Sequence, residues 1–155
     1  MIYITVGTYP QGFDRLIRYI DDICLELNLD CIAQISGGNY LPKNMKYSRF
    51  FAIDQQAEHI NSSDIIISHG GFGIIGDMLR KNKKFIVFPR PPSEGPNDQR
   101  PVAKKLSSIY GFSLCESVES LKNEIIRLQS PNCSLPSYHV ESNVPDIISK
   151  YLLNG

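Results

Sequence analysis

The chain has no excess of charge of either sign. Its 155 residues include sixteen basic and sixteen acidic side chains, so the formal net charge is zero. Nucleic acids and anionic lipid surfaces attract proteins mainly through clustered positive charge. A neutral chain therefore disfavours both as the main partner, and we expect no nucleic acid to bind.

Paired cysteines, long apolar runs and a leader segment are also missing. The cysteines stand singly, without a C-x-x-C pair or a neighbouring histidine, at Cys24, Cys31, Cys115 and Cys133. This pattern counts against a zinc site and favours free, mostly buried thiols in a reducing cytoplasm. No apolar run approaches the roughly 18–20 residues that span a bilayer, and residues 1–6 do not lead into a signal-peptide pattern. We expect a cytoplasmic protein that another molecule must hold at any membrane.

Strand and helix patterns alternate along most of the chain. With 42% hydrophobic residues, the chain can form one domain with a substantial core. The periodicity predicts strands at 1–6, 30–35, 49–53, 64–68, 85–88 and 112–115, and helices at 13–27, 55–61, 74–81, 97–110 and 118–129. This alternation predicts an α/β fold over residues 1–129 with a single Rossmann-like, doubly wound parallel sheet. Right-handed crossovers then bring the loops that follow the strands to one edge.

Residues 130–155 follow a different pattern. The segment 129–143 is rich in Ser, Pro and Asn, which predicts an extended crossing linker. After it, an apolar stripe predicts a C-terminal amphipathic helix, with Val144, Ile147, Ile148, Tyr151 and Leu152 on one face. The helix packs either on its own domain or on a partner subunit, and the pattern leaves both possibilities open.

Residues 71–76 spell G-x-G-x-x-G between a predicted strand and a predicted helix. Glycines there let the backbone approach a ligand, and the helix amino terminus favours a phosphate. A nicotinamide site normally has this motif after the first strand, with an acidic residue at the end of the next strand. Here the motif follows the fourth predicted strand, and the next one ends in Phe88-Pro89-Arg90. An NADP-binding module, in which Arg90 meets the 2′-phosphate, is therefore only an alternative.

Two further polar turns fall on the same predicted edge of the sheet. Gly7-Thr8 follows the first strand, and Asn97-Asp98-Gln99 opens a later helix. Together with the glycine loop, they predict a pocket suited to a diphosphate with polar groups on either side. Each feature also has a plain structural interpretation, because glycines serve strand-to-helix turns, and Asn and Asp serve as helix caps.

Three stretches in this order resemble the C-terminal, donor-binding half of family 28 glycosyltransferases: VGTYPQGFDRLI, ISHGGFGIIGDMLRKNKKFIVFPR and NDQ. The likeness covers about residues 1–127 and is greatest to the small single-domain members, such as the exopolysaccharide subunit PssE and the catalytic subunit of the two-part UDP-GlcNAc transferase of dolichol-linked glycan synthesis. It implies half of a GT-B fold, a UDP-sugar as donor, and no metal or other cofactor.

The resemblance assigns roles for the nucleotide to particular positions. Gly7, Thr8, Gly71 and Gly73 match the turns that approach the diphosphate, and main-chain groups at Ile53 match those that hold the uracil. Backbone N–H and C=O groups can recognise the edge of a base without a dedicated side chain.

The remaining assignments concern the ribose, the donor sugar and charge. Asp77 matches the acid that binds the ribose hydroxyls, which a carboxylate does through charge-assisted hydrogen bonds. His69 lies where the family often has a histidine, so it is a candidate for catalysis or phosphate contact; a structural role is the alternative. Arg90 either balances diphosphate charge or faces solvent. The polar motif that contacts the donor sugar is matched by Asn97, Asp98 and Gln99.

Taken together, these matches predict a UDP-dependent hexosyltransferase subunit for exopolysaccharide or capsule biosynthesis. Its acceptor is expected to be a polyprenyl-diphosphate-linked saccharide, presented by a membrane-associated, PssD-like partner at the inner face of the membrane. Phe72 and Ile74 depart from the family pattern, and no side chain stands out as a general base. These departures keep a non-catalytic subunit of the same fold as an alternative.

Overall fold

The computed structural model describes residues 1–131 and 133, which form six strands and five helices. The strands are β1 (Ile2–Thr5), β2 (Cys31–Gln34), β3 (Lys46–Ser48), β4 (Ile65–Ser68), β5 (Phe85–Val87) and β6 (Ser113–Leu114). The helices are α1 (Asp14–Leu27), α2 (Ile53–Ser62), α3 (Phe72–Lys81), α4 (Arg100–Tyr110) and α5 (Val118–Gln129).

All six strands are parallel and lie in the order β3-β2-β1-β4-β5-β6. This confirms the predicted α/β fold with a single doubly wound sheet. The strand order reverses direction between β1 and β4, where Ile4 pairs with Ile67. At such a switch point the connections leave in opposite directions and open a crevice at the carboxyl ends of the strands.

The core has two halves because alternate residues of each strand face opposite sides of the sheet. Ile2 and Ile4 of β1 face α1 and α5, whereas Tyr3 between them faces α2, α3 and α4. Both faces are covered, which explains why β4 reads as a continuous run of isoleucines. The sheet is thus a rigid layer that fixes the loops at its carboxyl edge.

The predicted strand at 49–53 is wrong: β3 lies earlier, at Lys46–Ser48, and α2 already begins at Ile53. Among the apolar residues that suggested a strand, Phe51 packs its ring against the rings of Tyr3 and His59, whereas Phe50 and Ile53 are exposed. The backbone N–H of Phe51 donates to the side chain of Gln34 instead of joining the sheet.

The expectation of four free thiols is wrong for Cys24 and Cys31, which form a disulfide with their Cα atoms 6.8 Å apart. Asn28 ends α1 in the left-handed conformation, with φ of 53°, and the chain then turns at once into β2. Since both cysteines face the same core cluster, this short turn brings them together. Cys115 and Cys133 are free, and burial raises the pKa of the Cys115 thiol to about 11.

Two sequence-based predictions concern the end of the chain. The crossing linker and the amphipathic helix predicted for residues 130–155 lie almost entirely outside the described residues. Within residues 1–131, none of the helices is long and apolar enough to cross a membrane.

Candidate functional site

A cavity of about 310 Å³ opens at the carboxyl edge of the sheet, at the switch point between β1 and β4. The first turn after β1, the glycine loop after β4 and the loop before α4 form its walls. The residues that line it include Gly7, His69, Gly71 and Arg90. Three segments that are distant in sequence therefore meet at one place, as the topology requires.

The imidazole of His69 fills the space between the two glycine turns. A Cβ atom at Gly7 would lie 2.6 Å from His69 Nε2, and one at Gly71 would lie 2.7 Å from His69 Cε1. Gly7 also has a φ of 78°, a conformation that L side chains rarely adopt. The two glycines are therefore required by the histidine ring itself, before any ligand is considered. A Cβ at Gly73, by contrast, would meet nothing within 4 Å.

His69 is neutral in this structure. It is 7% exposed, and burial, together with the nearby Arg90 charge, lowers its pKa to about 3. Among the described residues, its Nδ1 atom has no hydrogen-bond partner. A neutral imidazole with so low a pKa is a weak base but can still donate or accept a hydrogen bond.

Arg90 is a buried cation on the cavity wall, only 3% exposed. One Nη1–H group donates to the carbonyl of Gly12 at 3.1 Å, and the guanidinium lies 5.5 Å from the centre of the Tyr9 ring. Its Nε has no partner within the described part of the chain. Burial lowers the pKa of Arg90, while Tyr9 and Glu94 oppose this effect. Glu94 itself is engaged by Arg15 at 2.8 Å.

The cavity has the electrostatic character of an anion site. No carboxylate lies among its lining residues in the described chain, and Arg90 supplies a positive charge. Helix α3 begins at its rim with Gly71 as N-cap and no side-chain cap, so the first-turn N–H groups remain available. Of the five buried side-chain atoms without a partner in the described chain, three belong to lining residues: His69 Nδ1, Arg90 Nε and Gln99 Oε1.

Most of the predicted site residues meet in this cavity. Its lining includes Gly7, Thr8, His69, Gly71, Gly73, Arg90, Asn97 and Gln99. Ile74 lines it as well, whereas Phe72 packs against the core cluster beneath α3 and α4 and leaves the cavity open.

Three predicted residues are not part of the lining. Ile53 is 88% exposed at the start of α2. Asp77 lies farther along α3 with its side chain 56% exposed, and its carboxylate is 3.9 Å from Arg80. Asp98 turns away to bind the Arg100 guanidinium at 2.8 and 2.9 Å and to accept the Arg100 backbone N–H at 3.1 Å. Asp98 thus bonds to Arg100, the first residue of α4, and is not part of the cavity lining.

Sequence reasoning missed several lining residues, among them Thr5, Tyr9, Gln34, Gln56 and Pro96. Tyr9 follows the first glycine turn directly and could have been included with it. Gln34 is a polar residue that ends an otherwise apolar strand beside β1, which is a recognisable signal. Gln56 lies on α2 without any distinguishing pattern.

A larger cavity, about 580 Å³, lies at the amino edge of the sheet. Its cations are already engaged, because Lys83 Nζ donates to the carbonyls of Asn61 and Ser63, and Lys84 Nζ donates to that of Leu128. The chemistry therefore favours the smaller cavity. Among the described residues, no group of His, Cys, Asp and Glu side chains is arranged to hold a metal ion.

The chain is similar to known proteins in both sequence family and fold. Residues 1–151 match the model of the glycosyltransferase family 28 C-terminal domain. A search of curated proteins found no match.

Solved structures share the fold at low identity. The glycotransferase of kitacinnamycin has a TM-score of 0.64 and 17% identity, over 96% of this chain and 37% of its own. MurG of Acinetobacter baumannii has a TM-score of 0.63 and 16% identity, over 99% of this chain and 49% of its own. UDP-GlcNAc 2-epimerase of Neisseria meningitidis, bound to UDP-GlcNAc, has a TM-score of 0.57 and 17% identity, over 99% of this chain and 44% of its own. The chain thus spans less than half the length of each.

Proposed function

Because the chain belongs to the glycosyltransferase family 28 C-terminal domain family, we propose that it is the UDP-sugar-binding half of a two-part glycosyltransferase. The observation that carries the proposal is the cavity at the switch point. It combines a buried Arg90 guanidinium, an uncapped helix amino terminus and no lining carboxylate within the described chain. This combination suits a dianionic diphosphate.

In the proposed complex, the diphosphate lies across the turns at Gly7 and Gly71 and faces Arg90. Gly73 leaves room for it, because no atom would meet a Cβ there. The uridine extends out of the cavity toward the start of α2, where the main chain at Ile53 reads the base. Asp77 then binds the ribose, which requires the nucleoside to lie along α3 beyond the cavity rim.

The donor sugar lies on the other side, near Asn97 and Gln99. An acceptor hydroxyl attacks the anomeric carbon, the bond from that carbon to the diphosphate oxygen breaks, and UDP leaves with the bonding electrons. Arg90 and the α3 amino terminus stabilise the charge that develops on the leaving diphosphate. His69, being neutral, contributes hydrogen bonding and not proton abstraction.

The general base and the acceptor site come from a second subunit in this proposal. Among the cavity's lining residues in the described chain there is no carboxylate, and His69 is a weak base. The chain also spans less than half of the neighbouring structures. We assign the missing half to a membrane-associated, PssD-like partner that presents a polyprenyl-diphosphate-linked saccharide at the cytoplasmic face, in exopolysaccharide or capsule synthesis.

A titration calorimetry experiment tests the donor site. UDP should bind the full chain, alone or with its partner, and Asp77→Ala should weaken that binding. Asp98→Asn is the matched control, because this acid points away from the cavity and binds Arg100 instead. Absence of heat with UDP for both the chain and its complex would refute the proposal. Stronger binding of NADPH than of UDP would favour the dinucleotide-binding alternative.

A transfer assay tests the enzymatic role. The chain and its partner together should move sugar from the UDP-sugar to the lipid-linked acceptor, whereas the chain alone should be much slower. Equal rates with and without the partner would contradict the two-part enzyme. UDP binding without transfer by the complex would favour the non-catalytic subunit, an alternative that gains support from the missing base.

A further inference from the structure

We infer that Gln34 is a positioning residue for the donor site. This inference rests on the function proposed above. Its side-chain amide joins the first glycine turn to the segment that leads into α2. These segments bracket the cavity, one on the diphosphate side and the other on the base side.

The geometry of this amide bridge is specific. Gln34 is the last residue of β2 and is completely buried. Its Nε2 donates to the carbonyl of Gly7 at 2.9 Å, and its Oε1 accepts the backbone N–H of Phe51 at 2.8 Å. Phe51 precedes Ile53, the first residue of α2, by two positions. One side chain therefore fixes backbone groups on both flanks of the cavity.

The bridge needs a group that donates at one end and accepts at the other. A glutamate carboxylate would accept from Phe51 but would repel the carbonyl of Gly7. A methionine has a similar length but can neither donate an N–H nor replace the amide oxygen. A protonated glutamate, however, can donate to Gly7 and accept from Phe51. Burial beside two uncharged backbone partners raises the pKa of a carboxyl at this position, and the Arg90 guanidinium that lines the same cavity opposes this effect. The protonated form becomes populated on mild acidification where burial dominates.

This fixed spacing matters for a ligand that spans both segments. UDP contacts the Gly7 turn through its diphosphate and the 51–53 segment through its base in the proposed complex. If the two segments move independently, UDP must order both on binding, and its affinity falls. Because both bonds exist before UDP binds, their loss acts through the cost of ordering the freed backbone, and fixing about one residue corresponds to a decrease of about tenfold in UDP affinity.

The test measures UDP affinity by calorimetry on the full chain, with thermal unfolding measured in parallel. We expect Gln34→Met to bind UDP about tenfold more weakly than wild type while still folded. Gln34→Glu should bind weakly near pH 8 and recover toward the wild-type affinity near pH 5.5, as the carboxyl becomes protonated. Dividing each affinity by that of wild type at the same pH removes the titration of UDP itself.

Asp21→Asn is the control for general destabilisation. Asp21 is completely buried away from the cavity and accepts hydrogen bonds from the backbone N–H groups of Lys43 and Asn44 at 2.9 and 2.8 Å. It should lower the unfolding temperature without changing UDP affinity.

The outcomes separate this inference from the proposed function. Wild-type affinity in Gln34→Met, or no recovery of Gln34→Glu on acidification, would overturn the positioning role alone. Failure of the wild-type chain and its complex to bind UDP would overturn both.

Discussion

Mild acid should destabilise the protein through His69. The imidazole is 7% exposed, its Nδ1 has no partner in the described chain, and the Arg90 guanidinium lies nearby. Protonating it would place a second positive charge beside a buried cation. Its pKa is therefore about 3 in the folded chain, against 6.5 for an ordinary histidine.

The sign and size of the effect follow from these two pKa values. As the pH falls through 6.5, the unfolded chain takes up a proton that the folded chain does not accept until about pH 3. The contribution of His69 to stability is thus fully present above pH 6.5 and is lost progressively as the pH falls toward 3. Between about pH 7.5 and about pH 5, proton linkage gives a loss of about 2 kcal/mol in the free energy of unfolding.

Urea unfolding at these two pH values measures the effect, with wild type compared to His69→Asn, which keeps a polar side chain but does not titrate. The difference between the two proteins isolates the histidine, since Asp64, Asp98 and Glu124, whose pKa values are lowered, titrate below this range and occur in both. The variant should lose about 2 kcal/mol less than wild type over this interval. Equal losses would mean that the folded chain already protonates His69, and the assignment of a neutral imidazole would be wrong.

Two further predictions concern the cavity walls. Gly71→Ala should destabilise the fold by about 1–3 kcal/mol, because its methyl group clashes with the His69 ring. Gly73→Ala should leave the unfolding temperature nearly unchanged but weaken UDP binding, because its methyl group enters open cavity space. Comparable unfolding temperatures for the two variants would refute this contrast. Arg90→Met should reduce UDP affinity by about 2 kcal/mol, or roughly thirtyfold. It should change the free energy of unfolding by less than about 1 kcal/mol, because the lost hydrogen bond to Gly12 is offset by removal of a buried charge. Unchanged calorimetric affinity for UDP would remove Arg90 from the site.

The fold was predictable because its signals are local and repeated. Each strand except β3 lies within its predicted range, since burial on both faces leaves an unmistakable apolar run. The error at 49–53 arose because one apolar residue of the segment, Phe51, packs against α2 while Phe50 and Ile53 are exposed. The Phe51 ring packs against Tyr3, and its backbone N–H donates to the Gln34 side chain. The amino-acid composition of the segment does not distinguish this arrangement from a strand.

The site was predictable to the extent that topology alone determines it. Residues that directly follow β1 and β4 must meet at the switch point, so Gly7 and His69 lie together as expected. The direction of a side chain is harder to predict from sequence, because neighbouring charged groups compete with the cavity for it. Asp98 is two residues from Arg100 and pairs with it, away from the cavity. The Cys24–Cys31 disulfide was missed for a similar reason, since a tight turn and not a sequence motif brings the two sulfurs together.

The ring of His69 limits which residues can occupy positions 7 and 71. While an imidazole occupies position 69, a methyl group at position 7 or 71 would clash with it. A relative with a smaller residue in place of this histidine would be released from the steric constraint at position 71, whereas the positive φ at position 7 would still favour glycine there. Glycine at these two positions therefore reflects the shape of a neighbouring side chain and the backbone conformation at position 7, and neither cause requires a phosphate.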